Sequence, residues 1–116
     1  MNFKLLLKFA MQAGEIMLRS GAETYRVEDT IMRILSVYDL EIIEVFVTPT
    51  GIITTIDDQK IEMTTKLKRI KSRSIRLDKV ALVNDLSRKY VEGQISLKDA
   101  IEELKIIDKT PPYHPL

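Results

Sequence analysis

Hydrophobic positions recur at helical spacing from the start of the chain. Phe3, Leu6, Ala10, Ala13 and Met17 form a stripe that Leu5, Phe9 and Ile16 widen, so the pattern predicts a first helix over Asn2–Arg19. So broad an apolar face predicts burial against two neighbours. Ser20-Gly21 breaks it. A second helix is predicted over Gly21–Tyr38, with Val27, Ile31, Ile34, Leu35 and Tyr38 inward. Ser20 and Glu23 match the S-x-x-E capping box, which predicts Ser20 as the cap and Glu23 reaching back.

The period then changes. "EIIEVFVT", "GIITTI" and "KIEMTTK" are β-branched, aromatic or alternating, and predict three strands at 42–48, 51–57 and 60–67. Pro49 and Gly51 mark the first connection, and Asp57–Lys60 the second. Helical spacing returns at Leu77–Val91, with Leu82, Val83, Leu86 and Tyr90 inward and Gly93 as the stop. Ser96 is expected to cap a last helix carrying Leu97, Ala100, Ile101, Leu104 and Ile107. The order is ααβββαα, an α+β domain with a small antiparallel sheet packed on helices. One sheet face is expected under helices, and the other to be solvated or to meet a partner. Residues 1–108 make the domain, and 109–116 form a proline-rich, semi-stiff tail.

At 116 residues, 45% hydrophobic and 30% charged, the chain suits one core. A net charge of +1 selects neither nucleic acid nor membrane globally. No cysteine is present, which removes disulfides, thiolate catalysis and cysteine metal sites. The lone His114 cannot make a typical zinc site and is a poor general base. No apolar run approaches the roughly 18 residues of a membrane span. "MNFKLLLKFAMQAG" resembles a signal peptide faintly. Lys8 interrupts its apolar stretch and the pattern runs on through Ile16, Met17 and Leu18, so it reads as part of the mature domain.

"SGAETYRVEDT", Ser20–Thr30, crowds Glu23, Arg26, Glu28 and Asp29 into seven residues. At 100° per residue these charges do not form one cluster. One reading is structural: a cap, an Asp29–Arg33 pair one turn apart, acids suited to a helix start, and Arg26 and Glu28 as an ion pair clipping helix to sheet. The other reading places Thr24 and Glu28 along a groove beside the core.

"SGAETYRVEDTIMRIL", "VFVTPTGIITTI" and "TKLKRIKSRSIRLDKVALVNDLSRKY", in that order, resemble the N-terminal part of the threonine/serine exporter family. Those microbial membrane proteins export small amino acids, and relatives are implicated in dicarboxylate export. The resemblance covers roughly residues 10–108. Its specific parts are Gly21–Glu28, Thr48-Pro49-Thr50, and the run through Arg69, Arg73, Leu77, Asn84 and Arg88. In the family, membrane-spanning helices follow this region. The resemblance implies a cytosolic domain with a regulatory or substrate-handling role, soluble as this fragment and lying at the cytoplasmic face of the membrane in the full protein. Its expected partner is a membrane region of the same or a companion chain.

On this reading Thr24, Arg26, Glu28, Thr48 and Thr50 are candidate ligands for a small amino acid or dicarboxylate, since an amino acid needs both a cation and an anion. "VTPTG" equally fits a hydroxyl-stabilised turn. "KLKRIKSRSIR" holds Lys66, Lys68, Arg69, Lys71, Arg73 and Arg76, six basic residues in eleven. It fits a solvated connector, or a patch facing anionic lipid or a partner. No aromatics interleave it, so nucleic acid is disfavoured. Two rival functions stand beside the exporter domain. One is a small hydrolase, for which no G-x-S-x-G, P-loop or G-x-G-x-x-G is present; it would have to use carboxylates alone, such as Glu28 with Asp57 or Asp58, and nothing in the sequence points to them. The other is an interaction module docking on a separate membrane subunit. No cofactor or metal is expected, and homo-oligomerisation stays open.

Overall fold

A computed structural model describes residues 2–112. The order is α1 (Phe3–Arg19), α2 (Thr24–Leu35), β1 (Ile42–Thr48), β2 (Gly51–Asp58), β3 (Ile61–Arg69), α3 (Leu77–Val91) and α4 (Leu97–Lys109). This is the expected α+β order. His114 and the end of the tail lie outside the described residues, while Pro111 and Pro112 follow α4 without helical structure.

Helix α1 is the hub. Ten of its 17 residues are buried, from Leu6 to Leu18. It packs on α2, α3, α4 and the sheet rather than on two neighbours. Gly14 lets it sit close, since a Cβ there would stand 2.6 Å from Ile31 Cδ1 and 3.3 Å from Ile52 Cδ1. Asn2 caps the helix, its side chain accepting from the Leu5 N–H at 3.0 Å.

The expected capping box is not formed. Ser20 closes α1 instead, its N–H donating to Ile16 O, and Glu23 is the N-cap of α2 without a side-chain cap bond. The physical reason is Gly21. Its φ of +102° admits a left-handed turn, so Ala22 N donates to Met17 O at 2.9 Å and Gly21 N to Leu18 O at 3.2 Å. This is the glycine C-terminal motif, which satisfies the last carbonyls of α1 and delays α2 to Thr24. Gly93 ends α3 in the same way, as expected. Ser96 caps α4, accepting from Asp99 N at 3.1 Å.

Of the expected inward stripe, Val27, Ile31, Ile34 and Leu35 are fully buried, with Thr30 beside them, but α2 ends at Leu35 and Tyr38 lies beyond it, partly buried. Leu82 is exposed rather than core; Val80 takes that role, beside Val83, Leu86 and Tyr90.

The sheet runs β1-β2-β3, antiparallel throughout. Thr48 pairs with Gly51, which leaves Pro49-Thr50 as a two-residue turn. Proline fixes φ there near about −65°. The helix side carries Val47, Ile52, Thr54 and Ile56, all buried. The opposite face is open, and the cross-strand row Phe46–Ile53–Leu67 lies on it. These three side chains are 62%, 42% and 59% exposed.

Candidate functional site

Three segments meet at one end of the domain. They are the α1–α2 turn, the β1–β2 turn and the connector of residues 70–76. Ser74 N donates to Arg19 O at 3.0 Å, and Arg76 N to Ser20 O at 2.9 Å. Ile70 N donates to Thr50 O at 2.9 Å, and Arg73 donates to the carbonyl of Pro49. The connector is therefore stapled to both turns through backbone groups that would otherwise be unpaired.

The expected basic stretch is divided. Lys66, Lys68 and Arg69 belong to β3, which runs two residues past the expected end. Lys66 pairs with Thr54 and Lys68 with Ile52, so both share the helix side. Lys68 reaches Glu15 of α1 at 3.7 Å. Arg69, opposite Gly51, lies on the open side. It joins Lys71 in lining an open cavity of about 400 Å³ with Thr48, Thr50 and the apolar Phe46, Ile53 and Leu67. Arg73 and Arg76 line a different, smaller cavity near the α1–α2 turn.

Thr48 and Thr50 thus come together as expected, their hydroxyls 3.4 Å apart, with the Thr50 N–H donating to Thr48 Oγ1 at 3.3 Å. The turn is hydroxyl-stabilised and also forms a cavity wall. Thr24, Arg26 and Glu28 line none of these cavities. Arg26 is exposed and pairs with Glu23 at 3.9 Å, not with Glu28, and Glu28 is exposed. The expected Asp29–Arg33 pair is replaced by a tertiary contact. Arg33 donates to Ser87 Oγ at 3.1 Å and Asn84 Oδ1 at 3.4 Å, tying α2 to α3. That contact joins residues 51 and 54 apart in sequence, beyond the reach of helical periodicity.

Arg69 and Lys71, rather than Arg26, are the cations that stand beside the two threonines. A signal for them existed in the sequence, because extending the β2–β3 hairpin places Arg69 opposite Gly51. The cavity holds two cations and two hydroxyls and no acid, so its chemistry suits a carboxylate better than an ammonium group. Arg76 donates to both oxygens of Asp78, at 3.0 and 2.9 Å. That fork pulls the Asp78 carboxyl down to about 2 and raises the guanidinium further. Burial raises the Tyr90 phenol, whose ring meets Phe9 edge-on at 5.4 Å. Among the described residues no cluster of three or more acidic or histidine side chains is placed to hold a metal ion.

A family model described as "Putative threonine/serine exporter" matches residues 8–116. No curated protein and no solved structure matches.

Proposed function

The chain belongs to the threonine/serine exporter family, and from that premise we propose that it is a cytosolic substrate-handling domain, working against a membrane region of the same or a companion chain. Among the described residues no helix is long and apolar enough to cross a membrane. Passage of a solute then falls to that other region, and binding or regulation to this one.

The observation that carries the reading is the cavity of Thr48, Thr50, Arg69 and Lys71. Its cations and hydroxyls can hold the carboxylate of threonine or serine, or one end of a dicarboxylate, with the solute's apolar part against Ile53 and Leu67. The pocket opens on the exposed sheet face. The same face offers Phe46, Ile53 and Leu67 as apolar area for the membrane region to cover. Arg26 and Glu28, exposed on α2, are available to that partner rather than to the pocket.

The test is calorimetric titration of the chain with threonine, serine and succinate, repeated with Arg69→Ala and Thr50→Val. Saturable binding that Arg69→Ala weakens about tenfold, as loss of a charged hydrogen bond would, supports the reading. Binding to none of the three, or binding indifferent to both substitutions, overturns it.

A further inference from the structure

We propose that the smaller cavity, of about 220 Å³, between the α1–α2 turn and the start of α3 is a binding site for a phosphate dianion, either free or as the monoester of a lipid headgroup. It is separate from the carboxylate pocket and does not depend on the exporter reading.

Four cations line it, Arg19, Arg73, Arg76 and Lys79, and no acid does. Their partners leave a surplus. Arg19 pairs with Glu15 and Asp108, and Arg76 with Asp78, while Lys79 donates to the Asp108 carbonyl at 2.7 Å. Glu15 is shared with Lys68. Arg73 has only the neutral Pro49 carbonyl among the described residues. The four lining cations therefore face three carboxylates, Glu15, Asp78 and Asp108, one of them shared with Lys68, and Arg73 and Lys79 have only neutral carbonyl partners among the described residues. That positive excess favours a phosphate monoester, which carries about −1.5 to −2 near neutrality.

Ser20 supplies an independent observation. It is only 3% exposed and lines the cavity, yet among the described residues it bonds through its backbone alone. Its hydroxyl is therefore not spent on the fold, and it keeps access to the cavity, where it can bond an anion. Ser72 and Ser74 add two more hydroxyls at the rim. The volume is below the roughly 300–1,000 Å³ of sites for drug-sized ligands, and it suits a small tetrahedral anion. The walls are fixed beforehand, because the backbone bonds from Ser74 and Arg76 hold the connector against the α1–α2 turn. Little ordering then remains to be done on binding.

The experiment is an amide NMR titration of the 116-residue chain with inorganic phosphate, against chloride at matched ionic strength. Arg73→Ala and Ser20→Ala are run in parallel, each checked for folding by circular dichroism. Saturable shifts at Ser20, Ser74 and Lys79 with phosphate alone, weakened about tenfold or more by Arg73→Ala, are expected. Shifts that do not saturate, or that chloride reproduces, overturn the site. So does phosphate binding that is unchanged in both folded variants. Vesicles of phosphatidylcholine with phosphatidic acid, compared with phosphatidylserine at equal charge, then separate the sources. Preference for phosphatidic acid that inorganic phosphate competes away assigns a lipid headgroup. Phosphate binding without that preference assigns a free anion.

Discussion

The side chain of Ile75 lies against Gly21. A Cβ added to Gly21 would stand 2.8 Å from Ile75 Cδ1 and 3.9 Å from the Ile75 Cα. The contact joins the α1–α2 turn to the connector, across 54 residues of chain, and it depends on a residue without a side chain. Gly21 also holds φ at +102°, which L side chains rarely adopt. Gly21→Ala is therefore expected to destabilise the domain by about 1–2 kcal/mol from backbone strain, with a further cost for moving Ile75. Urea unfolding of the two proteins measures it. A loss under about 0.5 kcal/mol would mean that the turn relaxes and does not fix the connector.

Thr54 gives a prediction of opposite sign. It is fully buried on the helix side of the central strand, and its hydroxyl has no partner. Valine keeps the shape and removes the orphaned group. Thr54→Val should raise stability by about 1 kcal/mol, the low end of the cost of an unsatisfied buried polar group. A thermal melt decides this. A lower Tm would show that a buried water satisfies the hydroxyl in solution.

The pH dependence follows from Asp78. Its carboxyl is depressed from 3.8 to about 2 by the hydrogen bonds from Arg76. A depressed acid binds its proton more weakly in the folded state. Its contribution is present above about pH 4 and is lost as pH falls toward 2. The stability difference between the wild type and Asp78→Asn should accordingly shrink between pH 4 and pH 2. A constant gap over that range would mean that the Arg76–Asp78 fork does not persist in solution.

Element order was legible in the sequence because each change of period coincides with a change of environment. Helical spacing gives way to β-branched runs near Leu40 and returns after Ile75. The misreadings share a cause. Ser20-x-x-Glu23 satisfies a local rule, but Gly21 satisfies a stronger one, because its left-handed turn lets α1 keep its last carbonyls bonded. Asp29 and Arg33 satisfy the one-turn pairing rule, but Ser87 and Asn84 on α3 capture Arg33. Exposed pairs are worth only tenths of a kcal/mol, so a tertiary contact overrides them. The basic stretch looked like one patch because a linear reading has no faces. Strand alternation sends Lys68 and Arg69 to opposite sides.

Arg26 separates structure from function. Its one ion pair, with Glu23 at 3.9 Å, is exposed on both sides. Arg26→Ala should leave the folding free energy within about 0.5 kcal/mol of wild type. In a strain whose amino-acid export depends on this protein, the same change should sharply reduce export if Arg26 meets a membrane region. Unchanged stability with unchanged export removes Arg26 from the functional set.

The division of the basic stretch sharpens what a membrane would feel. Each basic residue close to an anionic leaflet contributes on the order of 1 kcal/mol, and the field decays within about 8 Å at physiological salt. Residues on opposite sides of a sheet cannot both gain from one bilayer. Arg69 lies on the open face, and with Lys71 it lines the cavity walled by the exposed Phe46 and Leu67. Lys68 is already committed to Glu15, and Lys66 shares its side. The chain should bind anionic vesicles weakly, release them as salt rises, and ignore neutral ones. Arg69→Gln with Lys71→Gln should lower that binding by tenfold or more, since two charges amount to roughly 2 kcal/mol. Lys66→Gln with Lys68→Gln should lower it less. Equal losses in both pairs would mean a diffuse attraction without an oriented face. Absence of binding to anionic vesicles even at low salt would leave these side chains as partners for groups within the fold or on the membrane region.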